Sequence, residues 1–154
     1  MRYFLARHIS PFEDSDFTME RFKEAYNADL ANGIGNLASR VMQLAQTHLA
    51  GPVKVEYVPP PANFSGAFDR FDMNAVAAYV MERIQALDQK INQTEPFKVV
   101  KTDKAQGQRL IEELVRALAA IDLMLEPLVP QTSKKIIEAI MANKKPENLF
   151  PRKE

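Results

Sequence analysis

The chain contains no cysteine. That excludes a disulfide framework, a thiolate metal site and a cysteine nucleophile, and it fits a reducing compartment. Histidine is scarce too: His8 and His48 stand far apart, and neither has a companion at metal-ligand spacing. Net charge is missing, because 20 Lys and Arg balance 20 Asp and Glu. A protein that coats DNA through many phosphate contacts is thereby excluded, whereas a partner read through a few bases at one spot is not. No apolar run approaches the roughly 20 residues that span a bilayer, and the N-terminus lacks a signal-peptide pattern. The expectation is a cytoplasmic chain with no membrane and no DNA partner.

What is present is an ordinary globular composition, 46% hydrophobic and 26% charged over 154 residues. This suffices for one domain with a sizeable core, or for one domain and part of another. The apolar start "MRYFLARHI" is too short to be a domain. The turn-rich, acidic "SPFEDSDFT" after it lacks the glycine and distal Glu of a calcium loop. Thr18 is placed to cap a first helix through "MERFKEAYN", with Glu20 favoured at the positive end of its dipole. Leu37, Val41, Leu44, Ala45 and Leu49 then fall at helical spacing over about 35–49.

Residues 51–71, with "VPPPANFSG", read as a loop, and "VKVEYV" within it as a short strand without a partner. Asp72 is a cap for a helix over 73–92, in which Met73, Val76, Val80, Ile84, Leu87 and Ile91 make the apolar stripe. Pro96 ends it, and "PFKVVKTD" reads as a connector. A helix near 103–126 follows, marked by Leu110, Leu114, Leu118, Ile121 and Leu125. After Pro127 and Pro130 a last helix starts with Thr132 or Ser133 as its cap, and the tail "KKPENLFPRKE" is irregular. The expectation is an all-α bundle of about five helices. Met73, Met81, Met124 and Met141 read as core filler.

No phosphate loop, zinc-binding pair or nucleophile elbow occurs. Three features stand out against that background. "NADLANGIGNLASRV", residues 27–41, carries three Asn and two Gly in an otherwise helical stretch, and sets Asn36 and Arg40 one turn apart on the same side. "PFKVVK" puts Phe97 after Pro96 and beside Lys98 and Lys101, the composition of a base-stacking platform. "LFPRKE" is an unusual ending for a bundle. Spacing alone favours a structural account of these: Asn36 bonded to a neighbouring helix, Arg40 paired with a carboxylate, Phe97 plugging the end of the bundle.

The stretch "RYFLARHISPFEDSDFTMERFKEAYNADLANGIGNLASRV" resembles the region after the catalytic signature of bacterial methionyl-tRNA synthetases. That region reads Arg-Tyr-(Phe/Tyr)-Leu-Leu-Arg, then Pro-Phe-Gly-x-Asp-Gly-Asp-Phe, then Asn-x-Asp-Leu-Ala-Asn-x-Leu-Gly-Asn-Leu-x-x-Arg. "TEPFKVVK" resembles the family's Ala-Pro-Trp-Lys-x-x-Lys connector, and "LFPRKE" its Leu-Phe-Pro-Arg ending, so the resemblance runs from end to end. It implies that residues 18–154 are the C-terminal anticodon-binding bundle of a class I synthetase, and that 1–17 are the end of the stem-contact region. The family's CAU-reading residues fall on Asn36, Arg40, Pro96 and Phe97; weaker backbone contacts fall to Lys98 and Lys101. Two departures stand out: Phe97 replaces a Trp, and Ser15 replaces a Gly of the acidic turn.

The implied partners are the anticodon loop of tRNA(Met) and the enzyme's own catalytic domain. That domain would bind ATP and methionine; its His-Ile-Gly-His and Lys-Met-Ser-Lys-Ser signatures do not occur in this sequence. No cofactor, metal or catalytic residue is therefore expected here, and Tyr3, Phe4 and Leu5 would have packed on that domain, leaving them partly exposed. Physical chemistry suits the same role, since RNA sequence is read mainly in single-stranded loops whose bases splay out, stack and bond at their edges. Two other readings remain: the anticodon domain of a related synthetase for valine, isoleucine, leucine or cysteine, and a helical interaction module that does not bind RNA.

Overall fold

The computed structural model describes residues 1–10, 14 and 16–154. Most of the acidic turn, with the Ser15 substitution, lies outside the described residues. Among the described residues every regular element is helical: α1 (Arg2–His8), α2 (Met19–Ala25), a π-helical stretch (Tyr26–Gly35), α3 (Asn36–His48), α4 (Ala62–Asp69), α5 (Met73–Thr94), α6 (Pro96–Thr102), α7 (Lys104–Leu125) and α8 (Pro130–Ala142). This is the all-α bundle that the helical periodicity implied. "VKVEYV" forms no strand; Val53 and Val55 lie half-buried against the core.

Caps start the helices where short polar side chains allow. Thr18 accepts from the backbone N–H of Arg21 at 3.2 Å, and Asp72 from that of Ala75 at 3.0 Å. The last helix departs from expectation. It begins at Pro130, whose missing N–H costs nothing in a first turn, so Thr132 and Ser133 are already inside it. Residues 62–69, read as loop, form α4, which buries Phe64 and Ala67.

The core lies where α3, α5 and α7 meet. Leu37, Val41, Val80, Ile111, Leu114 and Leu118 are all buried there; Ile111, not the half-buried Leu110, occupies the centre of the α7 stripe. The N-terminal residues also differ from expectation, because Tyr3 and Phe4 are each only 3% exposed while Leu5 is 50% exposed. The reason is tertiary packing. α1 packs on α5, where Asn74 donates to the carbonyls of Ala6 and Ile9 at 2.7 and 3.3 Å. Of the four methionines read as core filler, Met141 is the exception, exposed on α8.

Candidate nucleic-acid interface

The Asn- and Gly-rich stretch is where the chain changes direction. Gly33 leaves helical geometry at φ −78°, ψ −105°, bending the π-helical stretch just before α3. Two of its asparagines reach for the C-terminal tail. Asn27 donates to the Lys153 carbonyl at 2.9 Å and accepts from the Lys153 N–H at 3.0 Å, while Asn32 accepts from Arg152 at 2.8 Å. Gly35 makes room for the tail: a Cβ there would lie 3.2 Å from the Phe150 ring and 2.9 Å from the Leu30 carbonyl. The "LFPR" segment is thus folded over the start of α3.

Asn36 stays exposed. It opens on a groove of about 450 Å³ between the π-helical stretch and α5, lined also by Asn32, Gln85, Asp88 and Gln89. Amide side chains supply donors and acceptors together, the set that a base edge requires. Arg40 is held differently. Its Nη1 donates to Asp88, and its Nη2 to Asn92 Oδ1 at 2.9 Å. A carboxylate and an amide one turn apart on α5 therefore fix the guanidinium plane, the pairing that spacing alone had favoured. Nothing local in the sequence ties Asp88 and Asn92 to Arg40, which lies 48 and 52 residues earlier.

"PFKVVK" is not a connector but the helix α6. Glu95 takes the left-handed conformation (φ 40°) after α5, and Pro96 starts the new helix at N1. Pro96 is buried, whereas Phe97 is 40% exposed. Close packing of α6 on α7 depends on Gly107, because a Cβ there would collide with the Val100 backbone. Lys98 pairs with Glu95 at 2.6 Å and sits 6.0 Å from the centre of the Phe97 ring; Lys101 is exposed. Arg40 reaches Asn92 in the last turns of α5, and α6 begins four residues on, so Arg40 and Phe97 share one end of the bundle. Asn36, one turn back on α3, faces α5 nearer its middle.

A second polar cluster was invisible in the sequence. Asp29 Oδ2 accepts from the Tyr3 hydroxyl at 3.0 Å, lies 3.2 Å from Arg7 Nε and 3.0 Å from His8 Nε2. Burial first, then the Asp29 charge, pushes the Tyr3 hydroxyl well above its ordinary range. This cluster ties α1 to the π-helical stretch.

A family model described as "tRNA synthetases class I (M)" matches residues 1–42, from α1 into α3. The first 42 residues are thus similar to class I tRNA synthetases. More particularly, the chain is homologous to one region of methionine–tRNA ligases. It is 30% identical to the enzyme of Lactococcus lactis over 91% of this chain and 23% of that protein. It is 31% identical to that of Oceanobacillus iheyensis, again over 91% and 23%, and 28% identical to that of Brucella melitensis over 92% and 30%. The chain thus spans under a third of the relatives it matches.

The fold agrees. Free Mycobacterium tuberculosis methionyl-tRNA synthetase superposes with a TM-score of 0.83 at 21% identity, over 99% of this chain and 38% of that one. The same enzyme bound by methionyl-adenylate gives 0.80 at 22%, over 97% and 37%.

Proposed function

We propose that this chain reads the CAU anticodon of tRNA(Met) on behalf of a methionine–tRNA ligase. Residues 18–154 form the anticodon-binding bundle and 1–17 the end of the stem-contact region; aminoacylation and the binding of ATP and methionine reside in a catalytic domain. The observation that carries the reading is the joint placement of a fixed Arg40, an exposed Asn36 over an amide-lined groove, and a half-exposed Phe97 at the same end as Arg40. Homology to methionine–tRNA ligases over nine-tenths of the chain supports it.

The chemistry follows from the donors. Cytosine presents an amino donor beside two acceptors; Arg40 has donors only and suits the acceptors, while Asn36 supplies both kinds. Asp88 and Asn92 consume two of the guanidinium's donors and leave the others open to a base. Phe97 offers a π-face on which a splayed base stacks. Lys101, and Lys98 once it leaves Glu95, hold phosphates without regard to sequence.

A fluorescence titration with CAU and GAU stem-loops tests the reading. Tighter binding of CAU is expected, with the preference falling by about tenfold in Arg40→Ala or Asn36→Ala. Equal and steeply salt-dependent binding of both stem-loops refutes base readout. The second reading, a helical module that does not bind RNA, is favoured by the engagement of Arg40 and Lys98 with carboxylates. Absence of any stem-loop binding at low salt would decide for it.

A further inference from the structure

A cleft of about 710 Å³ lies between α7, α8 and the extended segment 53–58, and is lined by none of the residues assigned to RNA. Its walls are apolar, built from Val53, Val55, Leu123, Ile137 and Met141. Its rim leaves Tyr57 75%, Val58 61% and Met141 71% exposed. Such side chains leave water only when something covers them.

Within this apolar cleft sits a carboxyl group with unused capacity. Asp122 is 4% exposed; its Oδ2 accepts from Ser133 Oγ at 3.0 Å. Its Oδ1 is buried and receives no hydrogen bond from the protein. A buried acceptor without a donor is costly and calls for one. Glu126, which caps the C-terminal end of α7, lines the same cleft, as do Lys134 on α8 and, on the segment opposite, Glu56, which pairs with Lys54 at 3.9 Å. Above about pH 7, where Asp122 is ionised, Asp122 and Glu126 set two carboxylates against the single ammonium of Lys134, which selects a cation. Size and composition match a small-ligand site, mostly apolar with a few placed polar groups.

We propose that this cleft binds a small apolar amine, its ammonium group donating to Asp122 and Glu126 and its hydrocarbon body lying among Val55, Leu123 and Ile137. An ammonium group brings three donors and no acceptor, so it satisfies the orphan oxygen without creating a new unpaired acceptor. An alcohol of the same shape brings one donor and no charge. A carboxylic acid would meet two carboxylates and is excluded.

The test uses the whole chain, with n-hexylamine as the probe and n-hexanol as its uncharged counterpart, followed by amide NMR shifts. Saturable shifts confined to the cleft faces of α7 and α8 are expected with n-hexylamine and not with n-hexanol at equal concentration. Asp122→Asn should weaken amine binding by about tenfold or more, as befits a charge-assisted hydrogen bond. Ala120→Phe, which fills the cleft without touching the carboxyl group, should abolish it. Equal binding of the two probes, undiminished binding by Asp122→Asn or Ala120→Phe, or no saturable shift at the cleft overturns the proposal.

Discussion

Asp122→Asn should make the protein more stable at alkaline pH while leaving it nearly unchanged at acid pH. Burial pushes the Asp122 carboxyl up from 3.8 to about 7; the Ser133 hydrogen bond opposes that shift and the nearby Glu126 adds to it. From α8, Ser133 and Lys134 face the cleft that Asp122 lines, and from the segment opposite, Glu56. The folded chain therefore holds a proton that the unfolded chain has lost over the window from about pH 4 to about pH 7. Stability falls as pH rises through that window, and the penalty is complete above it. A difference of about three pKa units, at about 1.4 kcal/mol each, gives ~4 kcal/mol as the ceiling on what ionising Asp122 costs.

The Asn side chain keeps the shape and still accepts from Ser133, but never ionises. Urea melts followed by circular dichroism at about pH 5 and about pH 8.5 measure both chains across the window. Because about one pKa unit of the window already lies below pH 5, the wild type should lose up to ~2.7 kcal/mol relative to the variant between the two conditions. Other titrating groups are common to both proteins and cancel in the difference. Parallel pH profiles would refute the reasoning, because they would mean that Asp122 ionises in the folded state as easily as in water.

Phe97→Ala should weaken CAU stem-loop binding by ~1–3 kcal/mol, and Phe97→Trp should tighten it through the larger ring, both read by fluorescence titration. Gly107→Ala must push α6 off α7, because the added methyl group meets the Val100 backbone. A loss of roughly 1–3 kcal/mol in urea melts is expected, with weaker stem-loop binding as Phe97 moves. Asp29→Ala leaves Arg7 without its carboxylate; Arg7 Nη1 is already buried without a partner. Since Arg7 and Asp29 keep side-chain exposures of 25% and 15%, the expected loss lies toward the lower end of the ~3–5 kcal/mol seen when a buried ion pair is broken, measured as a lower melting temperature. Asp88→Asn should lower the preference for CAU over GAU while leaving the salt dependence of binding in place, because it loosens Arg40 without removing a phosphate contact.

Long helices were legible because a stripe repeated over five or six turns is hard to mistake. In α5, Val76, Val80, Ile84, Leu87 and Ile91 are all buried as their spacing required. Caps such as Thr18 and Asp72 were legible for a similarly local reason: the side chain and the N–H that it accepts lie three residues apart. The short helices escaped. α6 has seven residues and buries only Pro96 and Val100, too few to establish a period, and its opening proline reads equally as a stop or a start. The burial of Tyr3 and Phe4 escapes a sequence reading because it is tertiary: Tyr3 meets Asp29 26 residues on, and the Phe4 ring packs against Phe17 and Phe22.

The candidate site divides along the same line. Asn36, Arg40 and Phe97 stood out through local composition, but the environment of Arg40 did not, since Asp88 lies 48 residues further on. That pairing is also compatible with the proposed base readout. A free arginine side chain loses rotamer freedom when it grips a base, whereas one already forked between Asp88 and Asn92 has lost it on folding. The salt bridge is itself part-exposed, so it adds little to stability. If Asp88 and Asn92 are there chiefly to aim Arg40, substituting them should alter which stem-loop is preferred far more than it alters the melting temperature. A bridge whose only purpose is to hold α3 against α5 would show the opposite pattern.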